Sequence, residues 1–93
     1  MPKNTTETLA SGAWVEITAN DITAVTLQNR GPFPLLVVGT VGQVAPTDDA
    51  AAIEIEAGAG WQNELLSEIW PGIAATRIYV KSTGGNRVMI SHA

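Results

Sequence analysis

Apolar residues in this chain recur at every second position within short runs. Val15 and Ile17, Val25 and Leu27, Ile53 and Ile55, Ile78 and Val80, and Val88 and Ile90 each share one parity. A period of two places such pairs on one face of an extended strand. Gly, Pro and Asn clusters separate the runs at spacings of about ten to twelve residues, the pattern of an antiparallel sandwich or small barrel. Parallel units would need crossovers of about a dozen residues, usually helical, and the chain has room for at most one. The expectation is an all-β fold, a small antiparallel β-sandwich or barrel of about six to seven strands, with one short helical turn near residues 63–70.

The stretch Thr23–Gly42, TAVTLQNRGPFPLLVVGTVG, carries the strongest signal. Val25 and Leu27 alternate with small or polar neighbours, as in a half-buried strand. Leu35-Leu36-Val37-Val38 is continuously apolar, as in a strand covered on both faces. Between them Asn29-Arg30-Gly31-Pro32 reads as a turn. This stretch is expected to form a hairpin at the centre of the core, with Gly39, Gly42 and Pro46 breaking its second arm.

The other segments follow the same logic. Residues 1–12, polar and Thr-rich, read as an extended N-terminal arm, ordered only if something holds it. Residues 13–93 read as a single β-domain. Trp14–Thr18 is the first strand of that domain, and Ala50–Glu56 reads as a strand from its Ile-Glu-Ile-Glu alternation. Trp61–Trp70, WQNELLSEIW, is the only helix-like stretch. Asn63 suits its cap, Glu64 its first turn, and Pro71-Gly72 its stop. Thr76–Ser82 and Arg87–Ser91 read as a closing hairpin, with Gly84 and Gly85 supplying positive φ in its loop. In that reading Arg77, Tyr79 and Lys81 face outward, and the chain frays at His92.

Composition bounds what such a domain does. Ninety-three residues support one domain, with roughly 5,100 Å² of folded surface against about 14,000 Å² unfolded. Charged residues are 15%, against the usual ~25%. A surface so poor in charge favours extended contact with other subunits. The net charge of −4 and the lack of a basic stripe argue against nucleic acid. No run reaches the ~18 apolar residues of a membrane span. The N-terminus lacks the apolar core of a signal peptide. A protein made in the cytoplasm, without membrane or nucleic-acid partners, is the expectation.

Chemistry is sparse. There is no cysteine, and His92 is the single histidine, so neither a catalytic triad nor a zinc site has its usual donors. Asp48-Asp49 lacks the ligand spacing of a calcium loop. Glu64 and Glu68 share a face only as surface charge. Gly58-Ala59-Gly60 and Gly84-Gly85 lack the Lys-Ser/Thr of a phosphate loop. The chain therefore reads as no enzyme, with no catalytic, cofactor or metal residues. Glu54 and Glu56, with Arg77, Lys81 and Arg87, are placed for cross-strand or intersubunit pairing.

Aromatic residues carry the remaining signal. Trp70 closes the helical turn and belongs to the core, Trp14 has the outward parity of Glu16, and Trp61 adjoins a glycine-rich loop. Exposed aromatics anchor interfaces or stack on sugars. The candidate partner or subunit interface comprises Thr5, Thr6 and Leu9 of the arm with Trp14, Phe33, Trp61 and Tyr79 of the domain.

The order TLQNRG-PFPLLVVG, an acidic loop, IEIEAG, a helical turn ending in WPG, and TRIYVKSTGGNRVMISHA at the end of the sequence resembles small virion structural proteins of tailed phages and prophages encoded near head genes. The resemblance covers roughly residues 13–93 and is one of pattern. The Ala50–Glu56 segment and the 61–72 insert fit it least. It implies a non-enzymatic capsid decoration (cement) protein or head-spike base, commonly trimeric, with the major capsid or other virion proteins as partners. It implies localisation in the virion after synthesis in the host bacterial cytoplasm. A tail or connector component, and a carbohydrate-binding β-module using Trp14 or Trp61, are the alternatives.

Overall fold

A computed structural model describes residues 2–93. Its elements in chain order are β1 (Lys3–Leu9), β2 (Val15–Glu16), β3 (Ala24–Asn29), β4 (Leu35–Thr40), β5 (Ile53–Ile55), β6 (Gly60–Leu65), α1 (Leu66–Ile69), β7 (Arg77–Ser82) and β8 (Asn86–His92). They form two four-stranded antiparallel sheets packed as a sandwich. Sheet A has the order β1-β8-β3-β6 and sheet B the order β2-β7-β4-β5. The all-β expectation holds, as a sandwich of eight strands.

Alternation builds the core. Val25 and Leu27 of β3, Val88 and Ile90 of β8, Leu35 and Val37 of β4, and Ile78 and Val80 of β7 are all buried, and they meet between the sheets. At about 1.5–3 kcal/mol per buried aliphatic side chain, this layer is the main favourable term in the fold.

The expected central hairpin does not form. β3 lies in sheet A and β4 in sheet B, and β7 and β8 are split in the same way. Only the β4–β5 connection stays within a sheet. A turn signal specifies a reversal of direction, not the strand that becomes the neighbour. Here the residues between β3 and β4 form a corner that passes from one layer to the other.

Two buried asparagines hold the corners. Asn29 Nδ2 donates to the carbonyl oxygen of Ile55 at 2.9 Å, and its Oδ1 accepts from the Gly31 amide at 3.2 Å. Asn86 Nδ2 donates to Ser82 Oγ at 3.0 Å, and its Oδ1 accepts from the Arg87 amide at 2.8 Å. Glycines fit these corners by lacking a side chain. A Cβ on Gly31 would stand 1.5 Å from Asn86 Oδ1, and one on Gly84 would stand 2.5 Å from the Phe33 ring. Neither Gly84 nor Gly85 lies at the positive φ expected of them; Gly12, Gly42 and Gly58 do.

Three further segments differ from expectation. The N-terminal arm is extended, but β1 is paired with β8 along its whole length, from Lys3–His92 to Leu9–Asn86. Residue 1 of the arm lies outside the described residues. Trp61–Leu65 is strand, not helix, because the edge of β3 offers a ladder that outweighs the helix-forming composition of Gln62–Leu65. Only Leu66–Ile69 is helical, and its leading amide donates to the Thr23 carbonyl at 2.9 Å instead of to a side-chain cap. Gly39 does not break β4; it faces the core, where a Cβ would stand 2.6 Å from the Trp70 ring.

Candidate functional site

The two outer faces of the sandwich differ. On sheet B, Glu16 lies opposite Tyr79, which lies opposite Val38. Both Tyr79 and Val38 are buried although they point away from the core between the sheets. The loop 41–52 is tied to this face at two points. Gln43 Nε2 donates to Glu16 Oε1 at 2.7 Å, and Lys81 Nζ meets Asp49 Oδ1 at 2.6 Å. The Lys81 ammonium also sits 4.9 Å from the centre of the Trp14 ring, a cation–π contact.

The basic side chains of this face are paired internally. Arg77 bridges two carboxylates, Glu16 at 2.9 Å and Asp21 at 2.7 Å. Burial pushes the Glu16 carboxyl upward, but hydrogen bonds from Gln43, Arg77 and Thr18, with the Arg77 charge, outweigh it. The net result lies below the usual carboxylate range. Burial, reinforced by the nearby Glu16 charge, raises the Tyr79 phenol above its ordinary value. Hydrogen bonds donated to the Asp21 and Glu16 carboxylates hold Arg77 firmly protonated. The pairing expected of Glu54 and Glu56 with Arg77, Lys81 and Arg87 does not form among the described residues; Arg77 and Lys81 take Glu16, Asp21 and Asp49 instead. Glu54 and Glu56 stand exposed and join no ion pair among the described residues.

Sheet A is open. Register places Thr6 beside Met89, Met89 beside Gln28, and Ser91 beside Thr26, all on the face away from the core. Arg87 is the one charged side chain on the outward parity of β1, β3 and β8. Two shallow depressions run along this face. One of about 360 Å³ is bordered by Gln28, Met89 and Trp61, and one of about 480 Å³ by Thr26, Asn63, Ser91 and Asp21. Asn63 marks a bulge in β6. It takes φ +51°, and its amide donates to Thr26 Oγ1 at 2.8 Å. A bulge at a sheet edge bends the strand and ends regular pairing.

The candidate interface residues are dispersed. Thr5 and Thr6 are exposed on β1, and only Thr6 faces outward with Met89. Leu9 and Tyr79 are buried within the protomer, so neither is offered to a partner. The outward parity read for Tyr79 is right, but the side chain is buried. Phe33 is 41% exposed at the β3–β4 corner. Trp14 is half-buried under Lys81. Trp61 is half-buried and stands edge-on to Trp70 with ring centres 5.8 Å apart. Trp70 is in the core, as expected.

His92 does not fray. It closes β8, is buried, and its Nε2 accepts from the Ala19 amide at 3.1 Å. That bond assigns the proton to Nδ1, which donates to the Ala93 oxygen at 2.9 Å. Among the described residues no three His, Asp or Glu side chains group closely enough to hold a metal ion. Compared with protein families, curated proteins and solved structures, the chain matches none.

Sequence reading missed the open face because its residues carry no chemistry singly. The signal was present: the outward parities of β1, β3 and β8 hold Thr, Asn, Gln, Ser and Met with almost no charge.

Proposed function

We propose that this chain is a non-enzymatic structural protein of a tailed-phage virion, a capsid decoration (cement) or head-associated protein that stabilises or adorns the head. One observation carries the reading: sheet B pairs its basic side chains internally and has the loop 41–52 tied to its strands, while sheet A presents a nearly uncharged polar face centred on Met89, Gln28 and Thr26. A near-neutral face suits a subunit that must lie on another protein surface, where charge is depleted from the centre of contacts. Repetition over a symmetric shell lets weak individual contacts act together. The major capsid protein or another virion protein is the partner, and the virion is the site of action.

The carbohydrate-binding alternative is disfavoured by the tryptophans. Trp14 lies against Lys81 of sheet B and Trp61 packs on Trp70 and the core from sheet A, so the two do not share one exposed stacking face.

The test is direct. Particles are purified from cells carrying the gene, analysed by mass spectrometry, and gold-labelled with antibody to the chain. Recovery of the chain in particles with label on heads supports the proposal. Label confined to tails moves the chain to a tail or connector role, and absence from particles overturns the virion reading.

A further inference from the structure

Sheet edges carry unpaired backbone donors and acceptors, and most proteins blunt them. Three of the four edges here are blunted. β2 is two residues long and β5 three, while β6 is kinked by the Asn63 bulge and runs into α1. The fourth edge, β1, is seven residues long, paired without a register shift, and free of proline from Lys3 to Leu9.

The charges on β1 are arranged symmetrically. Lys3 and Glu7 lie on one face of the strand, two positions to either side of Thr5, and their charged groups are 3.1 Å apart. An antiparallel copy of the strand, related by a two-fold axis at Thr5, would set Lys3 opposite Glu7 of the second copy and Glu7 opposite Lys3. Thr5 would meet Thr5, and Asn4 would meet Thr6. Opposite charges and Thr–Thr pairs directly across a ladder are favourable, and like charges are unfavourable. Shifting the centre to Asn4 or Thr6 breaks both ion pairs.

We propose that β1 is a self-association edge: two copies of this chain join β1 to β1 about a two-fold axis at Thr5, making one continuous eight-stranded sheet. The contact leaves the outer face of sheet A open on both copies, and it does not depend on the virion reading. It is two-fold, unlike the threefold assembly that the resemblance implies. A single strand pair is a small interface, so the dimer forms in a concentration-dependent way.

The test uses charge reversal and a cysteine probe in the full chain. Light scattering across dilution gives a rise toward twice the 9.7 kDa chain mass. Lys3→Glu alone, or Glu7→Lys alone, sets like charges opposite each other at both ends of the pair and raises the dissociation constant at least about tenfold. An equimolar mixture of the two single variants restores both ion pairs in the mixed dimer, which native mass spectrometry detects in preference to either homodimer. Because the chain has no cysteine, Thr5→Cys reports the register. Facing α-carbons in an antiparallel pair are about 4.5–5.5 Å apart, within the reach of a disulfide. Thr5→Cys crosslinks on oxidation, and Thr6→Cys, which does not face itself, fails to. Circular dichroism confirms that each variant is folded. Monomers at every concentration, a trimer unaffected by charge reversal, or crosslinking of Thr6→Cys in place of Thr5→Cys would each overturn the proposal.

Discussion

Asn29 and Asn86 donate to one acceptor, the backbone carbonyl oxygen of Phe33, at 2.7 and 2.8 Å. Asn29 ends β3 and Asn86 begins β8, neighbouring strands of sheet A. Phe33 precedes β4 in sheet B. The shared carbonyl therefore fixes the point at which the chain leaves one sheet for the other. A buried polar network of this kind stabilises only when every member is satisfied, and among the described residues no buried side-chain polar atom lacks a partner.

Sharing makes the two asparagines interdependent. Asn29→Ala also takes a donor from the Ile55 carbonyl and an acceptor from the Gly31 amide, and it is expected to cost about 2–3 kcal/mol, while Asn86→Ala costs about 1–2 kcal/mol. The double variant loses more than the sum, because only then does the Phe33 oxygen lose both donors. Urea unfolding of the four proteins in the cycle measures this.

Gly31 is limited by space. A Cβ there would meet Asn86 Oδ1 at 1.5 Å and the Arg87 amide nitrogen at 2.8 Å, so side-chain motion alone does not relieve it. Gly31→Ala is expected to destabilise by about 3 kcal/mol. Gly72→Ala, with nothing within 4 Å of its Cβ position, is expected to stay within about 0.5 kcal/mol of the parent. Thermal unfolding of the two variants separates them.

Acid weakens the tethers at Glu16 on sheet B. The Glu16 carboxyl is held below its ordinary value of 4.5 in the folded protein, because hydrogen bonds from Gln43, Arg77 and Thr18 outweigh burial. Its contribution is complete above the unfolded value and is lost as pH falls through the folded one. The urea midpoint is expected to fall as pH drops below about 4.5, and Glu16→Gln to flatten that part of the profile.

Strand positions were legible in the sequence because burial on one face imposes a period of two, clear at Val25/Leu27, Ile78/Val80 and Val88/Ile90. Pairing was not legible. Nothing local to Asn29–Pro34 or Ser82–Asn86 distinguishes a hairpin from a corner, since the deciding contacts join residues 29, 33 and 86. Trp61–Leu65 misled because Gln, Glu and Leu favour helix, while the free edge of β3 is visible only in three dimensions. The strand β1 has no apolar residue from Lys3 to Thr8, so its pairing with β8 rests on backbone hydrogen bonds that composition does not reveal. The burial of Tyr79 at an outward position was not legible either, and the tethers beside it, Gln43 to Glu16 and Asp49 to Lys81, rest on single polar residues in an irregular stretch.

The open face of sheet A is the centre of the functional account, and Met89 stands at its middle, between Thr6 and Gln28. Met89→Arg adds charge to an outward position without touching the core, so the fold is expected to survive with unchanged unfolding. The decisive measurement is add-back binding: heads purified from particles made without the gene are mixed with purified chain, and co-sedimentation is followed to saturation. The account predicts saturable binding by the parent and its loss in Met89→Arg. No binding by the parent, or equal binding by the folded Met89→Arg variant, would contradict it.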